Sequence, residues 1–318
     1  MTKSQKLDVL QQSLRDIEQQ LSPPSDAALA VLTSVLSSRQ SIAIAQAANL
    51  LREQGVASLH ALLSKAFYRL LKNGAKTDPG CIAKRAIANA LYHQESGNTE
   101  LFLAGIRHIQ PEPVWGGTED TAPGLRGICA LGLVRAHYRH LMVALADLLA
   151  DPEVEARIGA ARAIAYSENP EGIALLRLKI HLGDPEPQVL SECCIAILKL
   201  APESSFELVA QFLASPEPAV VELTALALGE ARCMAAFPLI QATWRRTRTL
   251  ELRQSLLLAI AMLRSEAAIE FLVGLVERSN LQDAQDALRA LDIYRARPDI
   301  WQRVKAAHQL RGDTNLKL

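Results

Sequence analysis

The side chains able to do chemistry are scattered along the 318 residues, and few have a spacing that suits a reaction. Two of the seven histidines, His137 and His140, stand three apart in a segment that favours a helix. That spacing can direct both rings at one metal ion, but no cysteine or carboxylate pattern nearby completes a ligand set. The Gly116-Gly117 pair lacks the context of a phosphate loop, and no nucleophile elbow is present. We therefore expect no catalytic residue, no metal and no cofactor.

The five cysteines also indicate a structural role. They lack CxxC spacing, and the adjacent pair Cys193-Cys194 has poor geometry for an ordinary disulfide. Both cysteines stand where other copies of a repeat (described below) carry alanine, so we expect small, soft side chains in core positions. This usage predicts a reducing, cytoplasmic compartment.

Composition excludes several classes of protein. Hydrophobic residues make up 49% of the chain and aromatic residues only 4%, while 34 basic side chains balance 34 acidic ones. A chain without net charge has no overall field to attract nucleic acid or anionic lipid. The longest apolar run, 256–263, is about half a membrane span, so neither a membrane-spanning helix nor a membrane partner is expected.

Internal repetition with a period of 31 to 33 residues is the strongest feature of the sequence. An Asp-Pro or Ser-Pro pair opens several copies and predicts a helix N-cap followed by proline in the first turn. A fixed Ala-then-Leu/Ile step holds the register at 163/164, 196/197, 227/228, 259/260 and 290/291. A second helix is predicted in four copies, over 171–182, 205–213, 237–244 and 267–277. No segment shows the alternation of a strand.

The segment Asp151-Pro-Glu-Val-Glu-Ala-Arg157, with Ala160, Ala161, Ala163 and Ile164 after it, resembles the HEAT repeat. The resemblance is to the short bacterial form that phycobilisome-lyase HEAT-like proteins share, and it extends over 118–310. It implies an all-α protein, an α-α superhelix (a HEAT/armadillo-like solenoid) of about seven to eight helix pairs, preceded by a helix near 3–21. We expect residues 1–110 to form this helix and irregular repeats, and residues 111–318 to form regular repeats of one continuous solenoid.

The resemblance also implies that the Asp-Pro helices line the concave face and that Asp and Arg side chains form a ladder between repeats. Arg157 and Arg253 keep the arginine position, and Lys84 matches it loosely. We interpret Arg157 and the aspartates Asp151 and Asp184 as structural. Family members include lyases and DNA-repair proteins, so a bilin-lyase-like chromophore-handling protein and a helical-repeat DNA-binding or glycosylase protein remain alternatives.

One row of equivalent positions, each just before the fixed alanine, is apolar in its middle. It comprises Asn89, Cys129, Arg162, Ile195, Leu226, Leu258 and Arg289. Two interpretations stay open. The row packs as core against the next repeat, or it forms an exposed stripe for a partner helix or extended peptide.

The segment 109–124 is the one long connection, and its prolines and glycines exclude a helix. Long loops in compact repeat arrays are often functional. Trp115 is therefore either an anchor for a partner, with Glu119 and Asp120 beside it, or a plug for a gap between dissimilar repeats.

Charge varies along the chain, with net values of +4 over 1–111, −8 over 112–235 and +4 over 236–318. An acidic centre favours a basic partner and disfavours a continuous phosphate backbone. The sequence therefore predicts a non-catalytic scaffold whose partner is another protein. The predicted contacts are Ile195, Leu226 and Leu258 on the concave face, and Trp115, Glu119 and Asp120 on the loop.

Overall fold

A computed structural model describes residues 3–18, 25–54, 56–313 and 315–316. The described chain is almost entirely helical, with nineteen α-helices and one two-stranded antiparallel hairpin. It clusters into two compact units, Met1–Glu168 (unit 1) and Asn169–Leu318 (unit 2). The division expected at 110/111 stays a prediction.

The described residues of unit 1 form ten α-helices and the hairpin. The helices are α1 Lys3–Ile17, α2 Asp26–Ser37, α3 Ser41–Gln54, α4 His60–Leu71, α5 Gly74–Thr77, α6 Ile82–His93, α7 Thr99–Ile106, α8 Pro123–Arg135, α9 Leu141–Leu149 and α10 Val154–Ser167. The strands are β1 Pro111–Val114 and β2 Gly117–Asp120. The predicted first helix is present to residue 17, and residues 19–21 of its predicted span lie outside the described residues.

Nine α-helices lie in the part of unit 2 that the structure describes. They are α11 Glu171–Leu182, α12 Pro187–Leu200, α13 Pro202–Ala210, α14 Pro218–Glu230, α15 Phe237–Arg246, α16 Leu250–Met262, α17 Glu266–Arg278, α18 Leu281–Leu291 and α19 Pro298–Arg311. The four predicted second helices correspond to α11, α13, α15 and α17, with ends that differ by at most three residues.

Each unit has two layers. In unit 1 the first layer is α3, α6, α8 and α10, in which each helix packs against the next. In unit 2 the first layer is α12, α14, α16 and α18. Helices such as α4, α7, α9, α11, α13, α15 and α17 pack against these as the second layer, while α19 packs against α17, so the helix pairs stack as a HEAT-like α-solenoid requires.

The Asp-Pro and Ser-Pro pairs do not cap helices as predicted. The Asp151 carboxylate accepts the N–H of Glu153 at 2.9 Å, and Asp184 does the same for Glu186. Ser215 accepts the N–H of Glu217 in the same way. Each side chain thus forms a tight turn two residues ahead, and the helix begins after that turn. The prediction placed the cap too early because such a turn and an N-cap share residue preferences.

The fixed alanines are all buried, as the repeat pattern predicts: Ala163, Ala196, Ala227, Ala259 and Ala290. Cys193 and Cys194 are buried as well, which confirms their core positions. Small side chains let neighbouring first-layer helices approach closely. The extreme case is the crossing of α8 and α10, where a Cβ on Gly159 would lie 2.6 Å from the Cα of Gly127.

We expect Gly159→Ala to destabilise the protein by about 1–2 kcal/mol, because overpacking against backbone outweighs a helix-propensity gain of about 1 kcal/mol. Gly274→Ala on α17 is the matched control, since a Cβ there meets only the flexible Arg278 side chain. It should stabilise by up to about 1 kcal/mol. Urea denaturation followed by circular dichroism measures both. Equal shifts at the two positions would contradict the close crossing.

Candidate functional site

The predicted irregular connection contains a β-hairpin, so the expectation of no strand is wrong at this point. Val114 pairs with Gly117, which leaves Trp115 and Gly116 as a two-residue turn. Gly116 has a φ of 92°, a left-handed conformation that favours glycine. Each strand is only four residues long, too short for alternation to be recognised in the sequence.

Trp115 lies at the tip of this hairpin, and its side chain is fully exposed. The interpretation that the indole fills a gap between repeats is therefore wrong. Val114 beside it and Ile109 at the hairpin base are also largely exposed. Glu119 on β2 is exposed too and adds a negative charge near the tip. The hairpin thus presents apolar surface and one free carboxylate to solvent.

The base of the hairpin, in contrast, is fixed by buried polar contacts. The Gln110 side chain is 2% exposed and donates to the backbone carbonyl of Asp78 at 2.9 Å. It also donates to Glu112 at 2.7 Å. Glu112 in turn accepts the N–H of Gly80 and the hydroxyl of Thr121. These bonds tie β1 to the segment before α6.

An arginine clamp completes the base. Arg126 is 2% exposed and donates to Asp120 at 2.6 Å and to Asp151, at the start of the next repeat, at 2.9 Å. It also donates to the backbone carbonyl of His108 at 3.0 Å. Asp120 further accepts the N–H groups of Gln110 and Ala122. The structure therefore places Asp120 within the base, whereas Trp115 and Glu119 lie on the surface.

The clamp follows a six-residue spacing that recurs along the chain. An acidic residue is followed six positions later by a base at Asp78/Lys84, Asp120/Arg126 and Asp151/Arg157. Arg253, six positions after Thr247, pairs with Asp283 of the next repeat at 2.6 Å. The ladder that the HEAT resemblance implies is thus present at Arg126 and Arg253. The recurring six-residue spacing is the sequence signal from which Arg126 could have been predicted.

Electrostatics reinforce this arrangement. Burial by itself acts to raise the pKa of Asp120, but the Gln110 N–H and the Arg126 guanidinium outweigh it and lower the pKa. Burial likewise acts to lower the pKa of Arg126, yet its bonds to the two aspartates raise it. Both groups are therefore charged at neutral pH, and the base of the hairpin depends on that charge.

Acid should accordingly weaken unit 1 through Asp120. Because its folded pKa lies below the unfolded value of about 3.9, the stabilisation is present above that pH and is lost as pH falls through the folded pKa. Asp120→Asn should lower the urea midpoint at pH 7, and its gap to wild type should close between about pH 5 and about pH 2. Glu119→Gln, an exposed neighbour, is the control. A gap for Asp120→Asn that is constant with pH would contradict this assignment.

On the first layer of unit 2, the side chains of the predicted apolar row are neither buried in the core nor fully exposed to solvent. Ile195, Leu226 and Leu258, on α12, α14 and α16, are all half-buried. Polar bridges run beside them, from Ser255 to Glu222 and from Gln254 to Asp286. The three side chains thus form a shallow apolar stripe with a polar border.

At the ends of the row, Arg162 and Arg289 are exposed, whereas Cys129 is fully buried. Cys129 therefore does not share the stripe's environment. The sequence alignment of repeats across the 109–124 segment made Cys129 equivalent to Ile195, and this equivalence is wrong.

The other candidates for chemistry have structural surroundings. His137 and His140 lie in the turn between α8 and α9, so the helical spacing expected for them is wrong. Burial raises the pKa of the Cys81 thiol to about 12, far above that of a nucleophile. In the described segments, no three His, Cys, Asp or Glu side chains are grouped as a metal ion requires.

The most basic motif in the sequence, Trp244 to Arg248, is partly structural. Trp244 is buried, and the Arg253 guanidinium lies 4.3 Å from its ring centroid. Arg246 donates to the backbone carbonyl of Leu213 at 2.8 Å. Among the described helices, none is both long and apolar enough to cross a bilayer.

Comparison with known proteins finds matches among solved structures alone. No family model matches the chain, and no curated protein matches it. One match is a chain in the solved complex of CpcE and CpcF of phycocyanin lyase from Nostoc sp., with 18% sequence identity and a TM-score of 0.40. The match covers 82% of this chain and 94% of the matched chain. Human deoxyhypusine hydroxylase is 14% identical over 92% and 96% of the two chains, with a TM-score of 0.33. An engineered protein is 18% identical over 94% and 93%, also with a TM-score of 0.33.

The stacked helix pairs, the period of 31 to 33 residues and the Asp–Arg ladder all agree with the resemblance seen in the sequence. The chain has the all-α fold of a HEAT-like helical-repeat solenoid.

Proposed function

We propose that this protein is a non-catalytic scaffold that binds another protein through the 109–124 hairpin. The observation that carries the proposal is the fully exposed Trp115 on a hairpin whose base is fixed by buried ionic contacts. An exposed indole with apolar neighbours is unfavourable in water and is typical of a surface that a partner covers. Tryptophan is also among the residues that most often dominate binding energy.

The rigid base favours tight binding. Ordering a loop on association costs about 0.5–1.5 kcal/mol for each immobilised side chain. The contacts of Arg126, Gln110 and Glu112 already hold the hairpin before any partner arrives. Trp115 is therefore presented in a preorganised position, which reduces that cost.

The backbone of β1 limits how a partner could bind the hairpin. The Thr121 N–H donates to the Gln110 carbonyl at 3.0 Å, so by alternation the outward backbone positions on β1 are 111 and 113. Both are proline and offer no N–H, so a partner strand cannot form a regular ladder on β1. We infer that the partner binds by side-chain contacts with the tip, and that Glu119 favours a basic rim around its pocket.

The apolar stripe of unit 2 is a second proposed contact surface. Ile195, Leu226 and Leu258 each leave apolar area accessible on successive first-layer helices. A partner helix or extended peptide would cover them. We also propose that the protein is cytoplasmic, because its five cysteines form no disulfide, as is usual in a reducing compartment.

Affinity capture with the full chain tests the hairpin contact. Quantitative mass spectrometry would compare wild type with Trp115→Ser, and with Val143→Ser as an equally simple change at an exposed apolar residue of α9. We expect Trp115→Ser to reduce partner affinity about thirtyfold or more, the effect of losing a hot spot of about 2 kcal/mol. Val143→Ser should retain the partner.

The double variant Leu226→Arg, Leu258→Arg tests the stripe in the same assay. Loss of the partner with retained helicity would support the stripe. Full retention by this variant, together with loss in Trp115→Ser, would restrict binding to the hairpin. If the same set of proteins binds wild type, Trp115→Ser and the double variant, the proposed function is wrong.

A further inference from the structure

A second charged feature lies in unit 2, on the turns that follow the first-layer helices. Arg232 follows α14, Arg264 follows α16 and Arg295 follows α18, at intervals that match the repeat period. All three are exposed, and Arg232 and Arg264 share a left-handed φ of 52° and 55°. Arg297, also exposed, lies two residues beyond Arg295. Successive repeats therefore place guanidinium groups along one edge of the unit.

These cations differ in how they are paired. Arg295 pairs with Asp292 at 2.7 Å, and Arg297 with Asp299 at 2.8 Å. Within the described part of the chain, no carboxylate forms an ion pair with Arg232 or Arg264. Two adjacent repeats thus present unneutralised guanidinium groups to solvent.

Tyr294 links two of these turns. Its buried hydroxyl donates to the carbonyl of Ala261 at the end of α16. Burial raises the pKa of this hydroxyl, while the charges of Arg264, Arg297 and Arg232 each act to lower it. The Tyr294 bond joins the turn that carries Arg295 and Arg297 to the helix end that precedes Arg264.

We infer that Arg232, Arg264 and Arg297, here called the arginine edge, bind an acidic, extended peptide segment of a protein partner. Guanidinium forks bind carboxylates through paired hydrogen bonds. Neighbouring packed helices lie about 8–10 Å apart, and a peptide in the extended polyproline II conformation advances about 3.1 Å per residue with three residues per turn, so every third side chain lies on the same face. Acidic side chains at every third position would therefore meet successive repeats.

The surroundings favour a peptide over nucleic acid. Glu230, Asp292 and Asp299 are exposed along the same edge, and Glu222 lies on the adjoining first-layer surface. A continuous phosphate backbone would meet these carboxylates between the arginines. A peptide, in contrast, can place acidic residues opposite the arginines and neutral residues opposite the carboxylates. The inference concerns unit 2 alone and is independent of the Trp115 contact.

Fluorescence anisotropy with the full chain tests the inference. The probe is a fluorescein-labelled peptide of repeated Glu-Ser-Gly, and its counterpart carries Gln in place of Glu. We expect the Glu peptide to bind at least about tenfold more tightly than the Gln peptide, with affinity that falls as salt rises. Arg232→Gln, Arg264→Gln should weaken the Glu peptide about tenfold or more. Arg245→Gln, Arg248→Gln changes two other exposed arginines of the unit and should have no effect.

Each other result would overturn the inference. Equal binding of the Glu and Gln peptides would show that the carboxylates are not recognised. Equal weakening by the two double variants would show a general charge effect. Tighter binding of single-stranded oligothymidylate, lost in Arg232→Gln, Arg264→Gln, would make the edge a nucleic-acid site. Thermal denaturation checks that both variants remain folded, as expected for exposed side chains.

Discussion

Replacing Arg126 by methionine is expected to lower the free energy of unfolding by about 3–5 kcal/mol, the cost of removing one partner from a buried ionic group. Arg126 is 2% exposed and bridges Asp120 in its own repeat to Asp151 in the next. Methionine fills similar apolar volume but leaves both carboxylates without their cation. The carbonyl of His108 also loses a donor. Chemical denaturation measures the loss.

The matched control is Arg139→Met, because Arg139 is exposed in the turn before α9. A change at such a position is expected to stay within about 0.5 kcal/mol. If Arg126→Met is as mild as Arg139→Met, the clamp does not hold the hairpin base. The hairpin's partner contact should also weaken in Arg126→Met, since the base that positions Trp115 is then released.

The second large effect is expected at Lys84→Met, again about 3–5 kcal/mol. Lys84 and Asp78 are both fully buried, with the ammonium 3.1 Å from the carboxylate. Asp78 also accepts the backbone N–H groups of Ala83 and Lys84, so it holds the first turn of α6. Removing the cation leaves a buried carboxylate whose charge is balanced only by backbone dipoles.

A second substitution distinguishes charge from packing. Adding Asp78→Asn to Lys84→Met removes the unpaired charge, while the amide oxygen can still accept a backbone N–H. We expect the double variant to regain at least about 1 kcal/mol relative to Lys84→Met, which a double-mutant cycle would measure as coupling. Lys65→Met, at an exposed position of α4, controls for loss of a lysine. Additive single effects would contradict the pairing.

The repeat architecture was predictable because it depends on many residues at once. The buried alanines, such as Ala163 and Ala259, recur at a fixed interval, and second helices such as α11 and α17 follow from apolar periodicity. A pattern that a whole array shares does not depend on any single residue. The exact helix starts were not predictable, because Asp151 and Ser215 form turns with the same residues that form caps.

The site was predictable only in part. Trp115 and Glu119 stand out because aromatic and acidic residues interrupt a helical pattern, and both are exposed. The sequence does not distinguish Asp120 from Glu119, although Asp120 pairs with Arg126. That contact depends on a hairpin that is hard to predict, because two of the four residues of β1 are proline. The arginine edge was missed because its residues lie just after the helices, outside the periodic segments that sequence patterns describe.

Photocrosslinking from position 115 tests the central claim most directly. A photoreactive phenylalanine analogue replaces Trp115 in the full chain, expressed in the cell of origin, and replaces Val143 in a control chain. Both positions are exposed, so nonspecific crosslinking to other proteins should be similar at the two. A scaffold that uses the hairpin predicts one discrete protein adduct from position 115 that is missing from position 143. The same faint set of adducts from both positions would contradict it.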